Sequence, residues 1–438
     1  MSDRSEAYAE ILARMIRQET VSEQDVVGGD KFAAFRDLLR ELFPRLFGAC
    51  EVRTFHDSLL LLWKGQDRGA EPVLFLNHMD VVEATGEWSH PPFSGDISDG
   101  KLWGRGALDD KGGLWAMLQA AEELAGEGFA PTRDVYFMSS CTEETSGRGA
   151  EEIAAWFEEN NIRLAMSFDE GGMILHDPIG GADGDFAMIG VGEKGCADLR
   201  FVARSAGGHA STPGKDTPLV RLGKFMAAAD KGGLFTKELS DTTCEMLRRF
   251  APYMGRVGLI TGRPRLFAPL LKRVLPKLSG AAGALVRTTL AFTMAQGSGG
   301  CNVLPEEAWV VGNMRCSHHQ GREGSIRAVT ELARRYDIEV EVLDPGCESR
   351  LTDYNGPAFK LAERAVAQIF PGVAPVPYVM TGASDSRFLD RVCDQCVRFL
   401  PYKIDDQQLA SVHGLDENVD IATLAPAVDY YKYLMQGV

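Results

Sequence analysis

The sequence predicts an α/β protein: a mostly parallel sheet with helices on both faces, interrupted by a smaller inserted α+β domain. Three observations carry this. Residues 73–76, 135–138 and 164–168 are apolar runs, the third interrupted only by Ser167, the pattern of strands buried on both faces. Helical patterns alternate with them, as a parallel sheet requires. Near residue 195 the texture changes: Ala197, Leu199 and Phe201 alternate with Asp198 and Arg200, as in a half-exposed strand.

Taken in order, residues 5–18 place Tyr8, Ile11, Leu12, Met15 and Ile16 on one helical side, and residues 30–43 repeat this with Phe32, Phe35, Leu38, Leu39 and Leu42. A strand follows at 58–63. The run at 73–76 comes next, then a helix at 112–126 with Leu114, Met117, Leu118, Ala121 and Leu124 on one face. The run at 135, a helix at 149–158 and the run at 164–168 complete the alternation. Beyond 195 come a helix from Leu219, a strand to Met314, a helix at 324–336 and a strand at 338–343. Helices at 356–369 and 420–436 return to the first domain. The expected organisation is therefore a discontinuous domain, 1–195 and 350–438, holding an insert at 196–349. Residues 232–300 exceed a minimal insert and form an extra helical segment. Its part 266–292 is apolar with interspersed Arg and Lys. A basic amphipathic helix can lie on a membrane, but such stretches more often pack as a lid or a dimer contact.

Composition excludes several classes. Hydrophobic residues at 45% and charged residues at 25% are ordinary for a globular protein. A net charge of -16 argues against nucleic acid, whose phosphates demand basic surface. No run approaches the ~18–20 apolar residues that span a bilayer, so no stable membrane insertion is expected. The first six residues lack the basic-then-apolar layout of a secretory leader. Nine scattered cysteines suit a reducing compartment, and the expectation is cytoplasmic.

The chemistry gathers where the apolar runs end. Residues 73–76 lead into Asn77-His78-Met79-Asp80. Open α/β sheets keep their sites at the C-terminal edge. A histidine there can bind a metal while an aspartate two positions on orients the ring. The second run leads to Glu143-Glu144 and the third ends at Asp169-Glu170. Asp109-Asp110 adds two carboxylates in a glycine-rich turn, and His413 sits in a polar turn before the last helix. Carboxylates gathered at one sheet edge repel unless a cation neutralises them.

His78-x-Asp80, the run Gly104-Arg105-Gly106-Ala107-Leu108-Asp109-Asp110-Lys111, Glu143-Glu144, Asp169 and His413 together resemble the co-catalytic zinc metallopeptidase family of aminoacylase, carboxypeptidase G and carboxypeptidase S. The resemblance runs from about residue 8 to the C-terminus. Trp88-Ser89-His90-Pro91-Pro92-Phe93-Ser94-Gly95, Asp169-Glu170-Gly171-Gly172, Glu193-Lys194-Gly195 and Asp385-Ser386-Arg387-Phe388 look like the carboxypeptidase S branch, which includes the N-fatty-acyl amino acid synthase/hydrolase.

The resemblance implies a zinc-exopeptidase-like sheet with a ferredoxin-like lid or dimerisation domain. It also implies two zinc ions, replaceable by cobalt or manganese. Asp109 would bridge them, because relatives carry Asp, one residue, then Lys. His78 and Asp169 would complete one site; Glu144 and His413 would complete the other. Asp80 would orient His78, and Glu143 would be the general base. His209, in Gly207-Gly208-His209-Ala210-Ser211-Thr212-Pro213, would stabilise the oxyanion in the partner subunit of a homodimer. Asn302 and Arg315 would grip the substrate's carboxylate and carbonyl, while Gly382 and Ser384 line the carboxylate pocket. Arg387 contributes there or serves a structural ion pair. The implied substrate is a small peptide or an N-acyl amino acid, cut at an amide beside a free carboxylate.

Two positions depart from the family pattern: Thr142 stands where an Asp usually precedes the two glutamates, and Glu83 where relatives carry Pro. Other motifs carry less. Gly190-x-Gly192-x-x-Gly195 is followed by a strand pattern, so no helix N-terminus would meet a phosphate. Cys393-x-x-Cys396 lacks a thioredoxin-like context. Cys316, His318 and His319 lack a second ligand pair for zinc. Ser211 has no G-x-S-x-G elbow.

Overall fold

In the computed structural model the chain is described from residue 3 to 438, except 25, 27, 28, 146, 279, 345 and 347. It divides into two compact units. One holds the residues up to Gly192 together with Arg249–Gly258 and Arg350–Val438; the other holds Glu193–Arg248 and Leu259–Ser349. Residues 249–258 thus belong to the first unit, although they lie inside the stretch expected to form the insert.

The first unit is built on an eight-stranded sheet. Its order is Cys50–Phe55, Ser58–Trp63, Val135–Ser140, Val73–His78, Met166–His176, Cys396–Ile404, Asp185–Glu193 and Ala374–Met380. The four middle strands run parallel. Antiparallel strands extend the sheet on both sides. The apolar runs are buried because each side chain has a helix layer above or below it. Val73, Phe75, Val135 and Phe137 share one core cluster with helices Lys111–Gly126 and Leu424–Gln436. Leu74, Leu76, Tyr136 and Met138 share another with helix Arg148–Glu159. Phe75 stacks on Phe168 with ring centroids 5.2 Å apart.

Helix Lys111–Gly126 is buried on nearly every side, as expected of a helix apolar all round. Its first turn presses against the sheet, and a Cβ at Gly113 would collide with Asp110 Oδ1 and Asn77 Oδ1. One expectation needs correction. Asp169-Glu170 does not end its strand, which continues to His176 because Cys396–Ile404 and Asp185–Glu193 pair with it further on.

The second unit is a four-stranded antiparallel sheet, ordered Thr289–Gln296, Glu307–Cys316, Gly195–Arg204 and Glu339–Asp344. Helices Pro218–Asp230 and Gly321–Arg334 cover one face through Leu222, Phe225, Val329 and Ala333. This is the ferredoxin-like βαββαβ order. The stretch 266–292 is not uniformly helical: helix Ala268–Leu278 is followed by strand Thr289–Gln296, whose residues complete the sheet's edge.

Candidate metal centre

Four loops and strand ends of the first unit bring four of the five predicted ligands, His78, Asp109, Glu144 and His413, together. His78 closes strand Val73–His78 and is buried. Its Nδ1–H donates to the Asp80 carbonyl at 2.9 Å, which leaves the Nε2 lone pair facing the site. Nε2 lies 3.0 Å from Asp109 Oδ1. On the other side, His413 Nε2 lies 3.0 Å from Asp109 Oδ2 and 3.0 Å from Glu144 Oε2. Each oxygen of the Asp109 carboxylate therefore faces a different imidazole. Ligand atoms of His78, Asp109 and Glu144 all lie within 4.8 Å of one another.

Asp169 is placed differently. Its carboxylate accepts from the Ser386 N–H at 2.9 Å and from the Glu170 N–H at 2.8 Å. The Ser384 hydroxyl also hydrogen-bonds it, and Arg398 is its register partner. Among the described residues it bonds neither imidazole.

Asp80 reaches further than orienting a ring. Its carboxylate is 3.5 Å from His78 Nδ1. It also accepts from the Glu143 and Glu144 amides, each at 3.1 Å. One side chain therefore fixes both glutamates. Thr142 accepts from the Gly149 N–H at 2.9 Å, tying this loop to the following helix.

The charges are strained by their surroundings. Burial pushes the Glu143 carboxyl well up, with Asp385 and Glu144 adding to the rise and His78 and Arg387 opposing it. Arg387 Nη1 stands 3.5 Å from Glu143 Oε1. Burial also raises the Glu144 carboxyl, beside Asp109. His413 is raised to about 10 by its contacts with Asp109 and Glu144. Burial opposes the charge on Asp109, yet His413 and His78 hold its carboxyl below the usual range. Glu144 Oε1 is buried without a hydrogen-bond partner. Two imidazoles, clustered carboxylates and an orphaned acceptor make a donor set that fits a zinc-like divalent cation.

Several residues that hold the site were missed by sequence reasoning. Glu417 is fully buried and accepts from Arg105 Nη1 at 2.7 Å and from the Gly106, Leu108 and Asp109 amides at 3.1, 2.8 and 3.0 Å. It clamps the Asp109 turn to the His413 turn; its place four residues after His413 was the available signal. Asp110 turns away and accepts from the His78 N–H at 3.0 Å. Lys111 is buried and donates to the Met15 and Gln18 carbonyls at 3.1 and 2.6 Å.

The remaining predicted residues divide between the units. Gly382 is exposed and Ser384 buried in the first. In the second, the ribbon pairing His209 with Val303 also lets the Ala210 N–H donate to the Asn302 carbonyl at 2.9 Å, so His209 and Asn302 lie together. Both are exposed. His209 Nδ1 is 2.7 Å from Ser211 Oγ. Arg315 is half-buried on strand Glu307–Cys316. His318 and His319 bond the Ser349 and Thr236 carbonyls.

An α/β sheet that delivers imidazoles and carboxylates to one edge defines a metal-dependent hydrolase, and the chain belongs to Peptidase family M20/M25/M40, matched over residues 74–437. It is 30% identical over 422 residues to "Probable carboxypeptidase S-like 2" of Dictyostelium discoideum, covering 93% of this chain and 79% of that protein. It is also 30% identical over 420 residues to the human "N-fatty-acyl-amino acid synthase/hydrolase PM20D1", covering 92% and 82%. Among solved structures it resembles the M20 family metallo-carboxypeptidase Sso-CP2 from Sulfolobus solfataricus, with a TM-score of 0.73 at 17% identity over 100% of this chain and 99% of that one.

Proposed function

We propose that this hydrolase cleaves an amide bond next to a free carboxylate, as a carboxypeptidase or dipeptidase of the carboxypeptidase S type. The observation that carries the reading is the Asp109 carboxylate, whose two oxygens each face a separate imidazole at 3.0 Å. In this reading Asp109 would be shared by two zinc ions, His78 and Asp169 would hold one and Glu144 and His413 the other, and cobalt or manganese could substitute. Such ions, when bound, supply a polarised water and a counter-charge for the developing oxyanion.

The chain's own residues do the rest. The Glu143 carboxylate takes a proton from the attacking water and returns it to the leaving amine. Asp80 fixes Glu143 through its amide and His78 through its backbone carbonyl. His209 donates to the oxyanion in the partner subunit of a homodimer. Asn302 and Arg315 hold the substrate's carboxylate and carbonyl, the latter through its planar fork. Gly382 and Ser384 line the carboxylate pocket. The insert, proposed at 196–349, serves as lid and dimerisation domain, and the protein works in the cytoplasm.

A second reading, an N-acyl amino acid hydrolase or synthase, is favoured by the 30% identity to the human protein of that name. A binding relative without catalysis is opposed by the presence of Glu143 in the chain together with His78, Asp109 and Glu144, whose ligand atoms cluster. Elemental analysis with turnover of a blocked dipeptide and an N-acyl amino acid separates these readings. A metal-free, inactive protein would favour the binding module.

A further inference from the structure

The second unit carries an exposed apolar stripe that the hydrolytic reading does not use. Leu266 is 70% exposed, Leu270 45%, Val274 37% and Leu278 67%. The four recur at every fourth position, along the turn before helix Ala268–Leu278 and the helix itself. The same helix buries Leu271 and Leu275 inward, so it is docked on the unit by one side and bare on the other. Leu259, seven residues before Leu266, is 72% exposed as well.

The charges within this segment of the chain are of one sign. From residue 259 to 305 the sequence holds six Arg or Lys and no Asp or Glu, in a chain whose net charge is -16. Arg265 is paired with Asp241 at 2.7 Å. Arg263, Lys272, Arg273 and Lys277 form no ion pair among the described residues, and Arg273 and Lys277 lie exposed along the leucines. A second copy of this chain is a poor occupant, because a two-fold pairing of the stripe would set these cations against their own copies. A neutral apolar partner would leave them unused.

We infer that the stripe 266–278 is a peripheral docking surface for anionic phospholipid bilayers: the leucines enter the headgroup boundary while Arg273 and Lys277 meet lipid phosphates. The helix lies on the surface and does not cross it; no described helix is long and apolar enough to span a membrane. This holds whichever amide the enzyme cleaves.

Flotation of the full chain with vesicles tests it. Partitioning onto an equal mixture of phosphatidylglycerol and phosphatidylcholine should exceed that onto phosphatidylcholine by roughly tenfold or more, and high salt should reduce it. The triple variants Lys272→Glu/Arg273→Glu/Lys277→Glu and Leu266→Ser/Leu270→Ser/Leu278→Ser should each lose about tenfold, with thermal midpoint and turnover of a short soluble substrate unchanged. Leu270→Trp, a single exposed change, should give a blue-shifted emission on anionic vesicles. The inference is overturned by equal partitioning onto both vesicle types, by no partitioning, or by variants that bind like the parent. An indole emission that does not move in the Leu270→Trp variant overturns it as well. So does a dimer that the leucine variants convert to monomer, since the stripe is then covered by a second copy.

Discussion

The two units hold the polar residues of the candidate site in opposite ways. In the first, Asp80, Asp110, Asp169 and Glu417 are nearly or wholly inaccessible, and each accepts backbone N–H groups. In the second, His209 and Asn302 sit exposed on a two-stranded ribbon. A buried carboxylate is tolerated only when its hydrogen bonds are met, so the first unit's site is fixed by its own fold. Exposed residues on a ribbon carry no such obligation. Their replacement should alter chemistry without altering stability, and that contrast can be broken by experiment.

The largest effect is expected at Glu143. Glu143→Ala should lower turnover by roughly 10²–10⁴-fold while elemental analysis finds the metal still bound. Normal turnover in that variant would remove the general-base assignment. His209→Ala should cost about 10²–10³ in kcat and shift the denaturation midpoint by less than ~0.5 kcal/mol equivalent. A large loss of stability there would erase the contrast between the units.

Glu417→Ala should instead unfold the protein more easily, by about 3–5 kcal/mol, because the buried Arg105 guanidinium and three amides lose their acceptor. Metal titration should weaken alongside, since the Asp109 turn is released. A midpoint unchanged in urea would show that the clamp is not needed.

The smallest effect concerns Lys194 of the second unit, which is buried and donates to the Ala284 and Arg287 carbonyls at 3.1 and 2.8 Å. Burial lowers its ammonium to about 8. The unfolded chain then holds more protons from that pH up to ~10.4, so this residue makes stability climb as pH rises through the window. Lys194→Met should flatten that climb. Identical pH slopes for the two proteins would contradict the assignment.

Much of the first unit was legible because its signals are local. Apolar runs buried on both faces can be read residue by residue, and the polar groups that end two of them, at His78 and at Glu143-Glu144, mark the sheet edge directly. Strand Cys396–Ile404, which carries Arg398 opposite Asp169, was not recognised. Strand Thr289–Gln296 lies in the stretch expected to be helical, although Leu290, Phe292 and Met294 alternate with Thr and Ala in the two-residue period of a strand.

By itself the sequence determined the fold class, the parallel centre of the sheet and the residue types able to bind a cation, because hydrophobic pattern and side-chain chemistry are local properties. Asp109 was expected between the two histidines from the family pattern; only the tertiary structure decided that Asp110 turns to the His78 amide. It alone revealed that Asp80 holds two glutamates and that Glu417 joins two turns. Those choices depend on groups far apart in the chain competing for the same few buried donors, and burial resolves the competition only once the chain has closed.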